Sequence, residues 1–258
     1  MERADPAARE RRGASGREHG PGAAGGWQHG RTRSGGVITV AVLRHTEAVF
    51  SEAAYLPDDD RVLTERGRRQ AAALASVVRS FAPDRVWCSD LRRAHETWDV
   101  IRANICVDAV VHPGLRERRF RSLEGLSLPE LIDHIGPSKT ALARMSTDLL
   151  TLPGEESIAD AARRVVTTLR EIVAKCAAIG AGRALIVSHG GPSSWLMCHL
   201  LDVPLERGRI FTHGLGRFHV LRLGPDLTLA GVAALNCADP SVPAAWQQND
   251  NTNKRLDQ

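Results

Sequence analysis

Val37-Ile38-Thr39-Val40-Ala41-Val42-Leu43-Arg44-His45 is the stretch on which the fold turns. Up to Leu43 it is apolar apart from Thr39 and rich in β-branched side chains, the pattern of a strand buried on both faces. Such strands lie inside parallel sheets covered by helices. The run ends in Arg44 and His45, an anion-binding and a proton-handling side chain placed at a strand's carboxyl end. That is where open α/β sheets gather their ligands.

Outward from this strand, the chain alternates helical and extended segments. Residues 64–81 have helical spacing, with Thr64 as N-cap and Gln70, Leu74, Val77 and Val78 on successive turns. A short strand is expected at 84–88, a helix at 91–101 carrying Arg93 in its first turn, and a third strand at 107–111. Residues 114–125 read as an irregular loop holding Glu117. Residues 128–150 read as helical with a break at Gly136-Pro137, and 157–178 as a long amphipathic helix. A strand at 184–188 delivers His189 ahead of a helix at 193–201. Residues 216–223 and 227–235 read as a closing hairpin around Gly224-Pro225-Asp226. Strands alternating with helices indicate an α/β layer with a mostly parallel sheet.

Composition bounds the rest. At 258 residues the chain fits one domain with tails. Residues 1–36 hold seven arginines and four acids, +3 of the total net charge of +4. The basic character therefore belongs largely to this stretch and gives little reason to expect a nucleic-acid partner. The stretch has no hydrophobic periodicity and is expected to be a disordered tail. Residues 37–237 are then expected to form the folded domain and 238–258 a polar, loose C-terminal tail, in which Trp246 is the candidate anchor. No apolar run approaches the ~18 residues of a membrane span. The five cysteines, Cys88, Cys106, Cys176, Cys198 and Cys237, are odd in number and scattered without a Cys-x-x-Cys pair. That suits free thiols and a cytoplasmic location.

Five further fragments carry a resemblance. After Val42-Leu43-Arg44-His45-Thr46 come Leu63-Thr64-Glu65-Arg66-Gly67-Arg68-Arg69-Gln70-Ala71 and Ser89-Asp90-Leu91-Arg92-Arg93-Ala94-His95-Glu96-Thr97. Leu115-Arg116-Glu117 with Glu124-Gly125 follows, then Pro153-Gly154-Glu155-Glu156-Ser157, then Ser188-His189-Gly190-Gly191. Together and in this order they resemble the histidine phosphatase superfamily, the phosphoglycerate mutase-like proteins, over roughly residues 37–237. The resemblance implies a three-layer α/β/α fold and phosphoryl transfer through a phosphohistidine, without metal or organic cofactor.

The chemistry follows residue by residue. A neutral imidazole nitrogen of His45 can attack phosphorus. Arg44 and Arg93 offer planar forks that match phosphate oxygens; the family pattern selects Arg93 over Arg92 because Ala94 and Thr97 follow. Glu117 matches the general acid of the family. His189, protonated, and the amide of Gly190 at a helix start would hold the remaining oxygens. Arg116, Arg118, Arg119 and Arg121 crowd around Glu117. As a group they suggest a substrate with more negative charge than one phosphate, with Arg118 and Arg119 the first candidates to contact it. His95, His112, His134, His199, His213 and His219 show no metal-ligand spacing and read as structural. Asp58-Asp59-Asp60 reads as a solvated turn.

The chain also departs from the family pattern. Thr46 stands where a glycine is usual, Ala48 where a threonine is, and Arg121, Leu123 and Glu155 replace a Gly, a Trp and a Gly. Thr46 is expected to touch the phosphate, with its hydroxyl as donor. The function these observations support is a phosphomonoester hydrolase acting on a small anionic phosphorylated metabolite; a homo-oligomer is compatible with it. A phosphoglycerate-type mutase competes, against which stand the short segment 125–153 and the lack of a Trp-Asn pair after the first motif. A non-catalytic phospho-ligand binding protein on the same fold is the reading from another class.

Overall fold

In a computed structural model, residues 36–57, 59, 61–145 and 150–241 are described. All of the expected N-terminal tail but Gly36, all but four residues of the C-terminal tail, residues 146–149 of the expected helical stretch, and Asp58 and Asp60 lie outside them.

The apolar run forms β1 (Ile38–Arg44), whose first five residues are buried or nearly so. It is the fourth strand of a six-stranded sheet. The others are β2 (Arg85–Cys88), β3 (Ala109–Val111), β4 (Arg183–Ser188), β5 (Phe218–Leu223) and β6 (Leu229–Cys237), in the order β3-β2-β4-β1-β5-β6. The first four in that order run parallel, while β5 and β6 join antiparallel to β1 and to each other. The mostly parallel sheet closed by a hairpin is therefore as expected.

Helices cover both faces. On one, α1 (Glu65–Phe81) and α2 (Arg92–Ile101) pack Ala71, Leu74, Val78, Phe81, Trp98 and Ile101 against Ala41, Leu43, Leu185 and Val187. On the other, α5 (Ile158–Ile179) and α6 (Gly190–Leu200) pack against Val40, Val42, Ala184 and Ile186. Alternate residues of β1 and β4 thus feed opposite cores, which is why both strands read as unbroken apolar runs. A small third cluster, Phe120, Leu123, Leu131, Leu150 and Leu152, lies under the loop before α3 (Leu128–Ile135) and α4 (Pro137–Met145).

Caps set the helix starts. The Thr64 hydroxyl accepts from the Gly67 amide at 2.9 Å, and Ser157 accepts from the Asp160 amide at 3.0 Å. One boundary differs from expectation: α6 begins at Gly190, not at Ser193, with His189 as its N-cap residue. Glycines are poor helix formers, so a pattern reading skips them. Here they open the helix because neighbouring groups need the space their missing side chains leave. All five cysteines are free thiols. No helix among the described residues is long and apolar enough to cross a membrane.

Candidate active site

Parallel pairing brings the two histidine motifs together. Arg44 at the end of β1 is in register with Ser188 at the end of β4, and the His45 amide donates to the Ser188 carbonyl at 2.9 Å. His45 and His189 follow one residue later, with ring centroids 5.1 Å apart. The turn after β2 adds Ser89 and, on α2, Arg93. Arg44, His45, Arg93, Glu117 and Gly190 line one cleft of about 800 Å³.

Nδ1 of His45 lies 2.7 Å from the Thr46 carbonyl oxygen. A carbonyl can only accept, so Nδ1 carries the proton and Nε2 keeps its lone pair. Burial, then the charges of Arg93 and Arg44, hold the imidazole pKa well below its ordinary value. The ring is therefore neutral near pH 7, the state a nucleophile needs.

His189 is fully buried. Its Nε2 lies 2.8 Å from the Ser89 hydroxyl, and its Nδ1 has no partner among the described residues. A proton donated by Ser89 to Nε2 leaves the ring's own proton on Nδ1, ready for an oxygen beside His45. Burial and then Arg93 push this pKa well below the ordinary value too. Without an anion between these arginines the ring is therefore neutral; the protonated His189 expected from the sequence belongs to the phosphate-bound state.

The arginines are held from behind. Arg44 Nη1 donates to the His213 carbonyl at 2.6 Å. A β-carbon on Gly190 would stand 3.2 Å from the Arg44 guanidinium carbon, so a larger residue there would push the fork back by a few tenths of an ångström. Arg93 is 2 % exposed, and its carbonyl accepts from the Thr97 hydroxyl at 2.7 Å. Thr97 also accepts from the Thr46 amide at 3.1 Å and lies 3.3 Å from the Thr46 hydroxyl. Since Thr97 gives its own proton to Arg93, the Thr46 hydroxyl is the donor in that last pair. Thr46 is fully buried and does not line the cleft. Its expected hydroxyl contact with phosphate gives way to a bond that ties the nucleophile's loop to the arginine's helix.

Glu117 reaches the cleft from the irregular loop. Its carboxylate accepts from the Gly191 amide at 3.0 Å and from the Arg118 amide at 3.1 Å. Arg118 itself is buried at 1 % exposure. It donates from Nε and Nη2 to the Glu156 carbonyl at 3.0 and 2.7 Å and lies over the Phe120 ring. It is absent from the cleft lining and shapes the loop that carries Glu117. Its neighbours are engaged as well. Arg116 pairs with Asp90, and Arg119 pairs bidentately with Glu124 at 2.7 and 2.8 Å and with Asp59 at 3.0 Å. Burial and the Glu156 carbonyl thus take Arg118 out of the expected substrate contacts, while Arg116 and Arg119, paired with acids, line a second cavity beside Glu117.

Sequence reasoning gave no role to Ser89 or Thr97, although both lie within the quoted fragments. It also missed Arg61 and Arg209, which line the cleft. Nothing in their local sequence marks them, because they come from segments distant in the chain. Among the described residues no group of three or more histidine, cysteine or acidic side chains is placed to hold a metal ion.

The model of the histidine phosphatase superfamily (branch 1) matches residues 40–230. A probable phosphoglycerate mutase of Erwinia tasmaniensis is 29% identical over 175 residues, 67% of this chain and 79% of that protein. A metal-independent phosphoserine phosphatase of Arabidopsis thaliana is 30% identical over 158 residues, 60% of this chain and 65% of that one. Among solved structures, a mycobacterial glucosyl-3-phosphoglycerate phosphatase superposes with a TM-score of 0.65 at 24% identity. The match covers 78% of this chain and 99% of that one.

Proposed function

Because the chain belongs to the histidine phosphatase superfamily, branch 1, we propose that it hydrolyses a small phosphate monoester through a phosphohistidine on His45. The observation that carries this reading is the His45 ring. Its Nδ1 proton is fixed on the Thr46 carbonyl, and its neutral Nε2 stands in a cleft shared with two arginines.

Nε2 attacks phosphorus in line, and the bond from phosphorus to the ester oxygen breaks. Glu117, protonated in this step, gives its proton to the departing oxygen. Arg44, Arg93, the Nδ1 proton of His189 and the Gly190 amide hold the phosphoryl oxygens as charge develops on them. Glu117, now ionised, then takes a proton from water as that water attacks the phosphohistidine. Phosphate leaves, and His45 returns to its neutral form.

The test is direct. Mixing with a labelled substrate and quenching in base traps acid-labile label on the native protein, with none on His45→Ala. Wild-type phosphate release by His45→Ala would remove the nucleophile from His45. A mutase reading predicts that label moves to another position of a retained substrate instead of appearing as inorganic phosphate. Product analysis in the same experiment separates the two.

A further inference from the structure

Beside Arg44 lies a second pair of histidines that the proposed reaction does not use. His213 and His219 are 4% and 1% exposed, and their rings stack with centroids 4.0 Å apart. Nε2 of His213 lies 2.7 Å from the Arg217 carbonyl oxygen. A carbonyl can only accept, so Nε2 carries the proton. The same oxygen accepts from the Arg44 amide at 3.1 Å. The His213 carbonyl in turn accepts from Arg44 Nη1 at 2.6 Å. One short loop therefore holds Arg44 at both ends, its backbone on Arg217 and its fork on His213, and the His213 ring ties these two points together. The Gly216 amide adds a third tie to the Arg44 carbonyl at 3.1 Å.

The loop is braced from the edge of the sheet. Phe218 of β5 pairs with Cys237 of β6, and Val220 pairs with Ala234, with a register shift between the two pairs. Leu235 and Asn236 therefore stand opposite the single residue His219, which makes a β-bulge. Asn236 has a φ of +50°, the left-handed region that asparagine enters more readily than most residues. In this conformation it makes two bonds at once. Its amide donates to His219 Nδ1 at 3.0 Å, and its side-chain oxygen accepts from the Gly214 amide at 2.7 Å. One residue of the edge strand thus fixes both the ring stacked on His213 and the backbone next to His213. A hairpin pairs without a bulge, whereas bulges beside active sites re-aim particular side chains.

Resting on the phosphatase reading, we propose that His213, His219 and Asn236 are positioning residues for the phosphate clamp. They hold the Arg44 fork in the plane in which it meets two phosphoryl oxygens. A guanidinium binds phosphate bidentately in a narrow range of orientations, and a fork already held there loses little freedom when the anion arrives. The effect of the brace passes through Arg44 and is read in phosphate affinity. The proton of the leaving group is handled by Glu117, which comes from a different loop.

The experiment measures the dissociation constant of inorganic phosphate by titration calorimetry on the full chain, with the melting temperature alongside. His213→Phe keeps a ring to stack on His219 and loses the donor to Arg217. It should weaken phosphate binding by about tenfold. Asn236→Gly keeps the left-handed backbone and the amide bond to His219 and loses only the side-chain oxygen. It should weaken binding by about threefold. In an Arg44→Lys background, which keeps the charge without the fork, the same two changes should move the constant by less than about twofold. A lowered melting temperature with phosphate binding unchanged in the native background would make the brace purely structural and overturn the proposal. Equal weakening in the native and Arg44→Lys backgrounds overturns it too, because the effect would then bypass the fork. Should His213→Phe fail to fold, Asn236→Gly at the exposed edge decides by the same criteria. The phosphatase reading fails on a separate measurement, the absence of label on His45, so the two failures are distinct.

Discussion

At the scale of single residues, the site is organised by side chains that stand behind the reacting groups. Thr97 takes one bond from the amide of Thr46 and one from its hydroxyl, and gives one to the Arg93 carbonyl. The nucleophile's neighbour and the phosphate clamp are thereby fixed to one oxygen atom. This gives Thr46 a structural role that can be measured. Thr46→Ser keeps the hydroxyl and stays close to the native protein. Thr46→Val leaves Thr97 only the backbone amide of position 46 as donor and lowers unfolding free energy by about 1 kcal/mol, the net worth of one buried hydrogen bond. Inhibition by inorganic phosphate changes less than about twofold in both variants, since the hydroxyl does not face the cleft. Phosphate inhibition weakened about tenfold in Thr46→Val, or roughly 1.4 kcal/mol, would restore the direct contact expected from sequence.

At the scale of elements, the carboxyl ends of β1, β2 and β4 carry the site and the amino end of α6 completes it. Gly191 donates its amide to Glu117, and a β-carbon there would fall 2.2 Å from the Glu117 carboxylate and 2.8 Å from the Trp195 ring. Gly191→Ala should therefore displace the carboxylate. The expected outcome is a fall in kcat of about tenfold or more, since each 1.4 kcal/mol of lost transition-state stabilisation costs that factor. Phosphate inhibition should change little, because Glu117 handles the leaving group's proton. Equal loss in both would show that the whole start of α6 had moved. This element also marks the limit of what the sequence carries. Arg44, His45 and His189 were legible because they end apolar runs, and the runs fix the strands. The helix starting at Gly190, the inward turn of Arg118 and the bond from Thr46 to Thr97 were not. Each depends on a partner brought close only by the fold: Arg44, Glu156 and α2 respectively.

At the scale of the whole molecule, four buried histidines cluster around one end of the sheet, and all are held neutral. His45 and His189 have pKa values well below the ordinary one, through burial first and then Arg93. Burial, then the stacked His219, brings His213 down to about 3, and burial brings His219 to about 4. In the unfolded chain each titrates near 6.5. Below that pH the unfolded state binds protons that the folded state refuses, so stability is full above about 6.5 and is lost as pH falls. Each histidine contributes up to about 1.4 kcal/mol of loss per pH unit until its folded pKa is reached. Four acting together make the dependence steep, and the melting temperature should drop sharply between about pH 6.5 and 4.5. Inorganic phosphate should soften the drop, because an anion between Arg44 and Arg93 lets His45 and His189 accept protons in the folded state. His219→Phe, which removes one of the four groups and keeps a ring against His213, should make the melting curve shallower with pH. Flat melting temperatures across this range would mean that the histidines take up protons in the folded protein. The neutral His45 on which the proposed attack depends would then be lost in the same range, and turnover would fall with it.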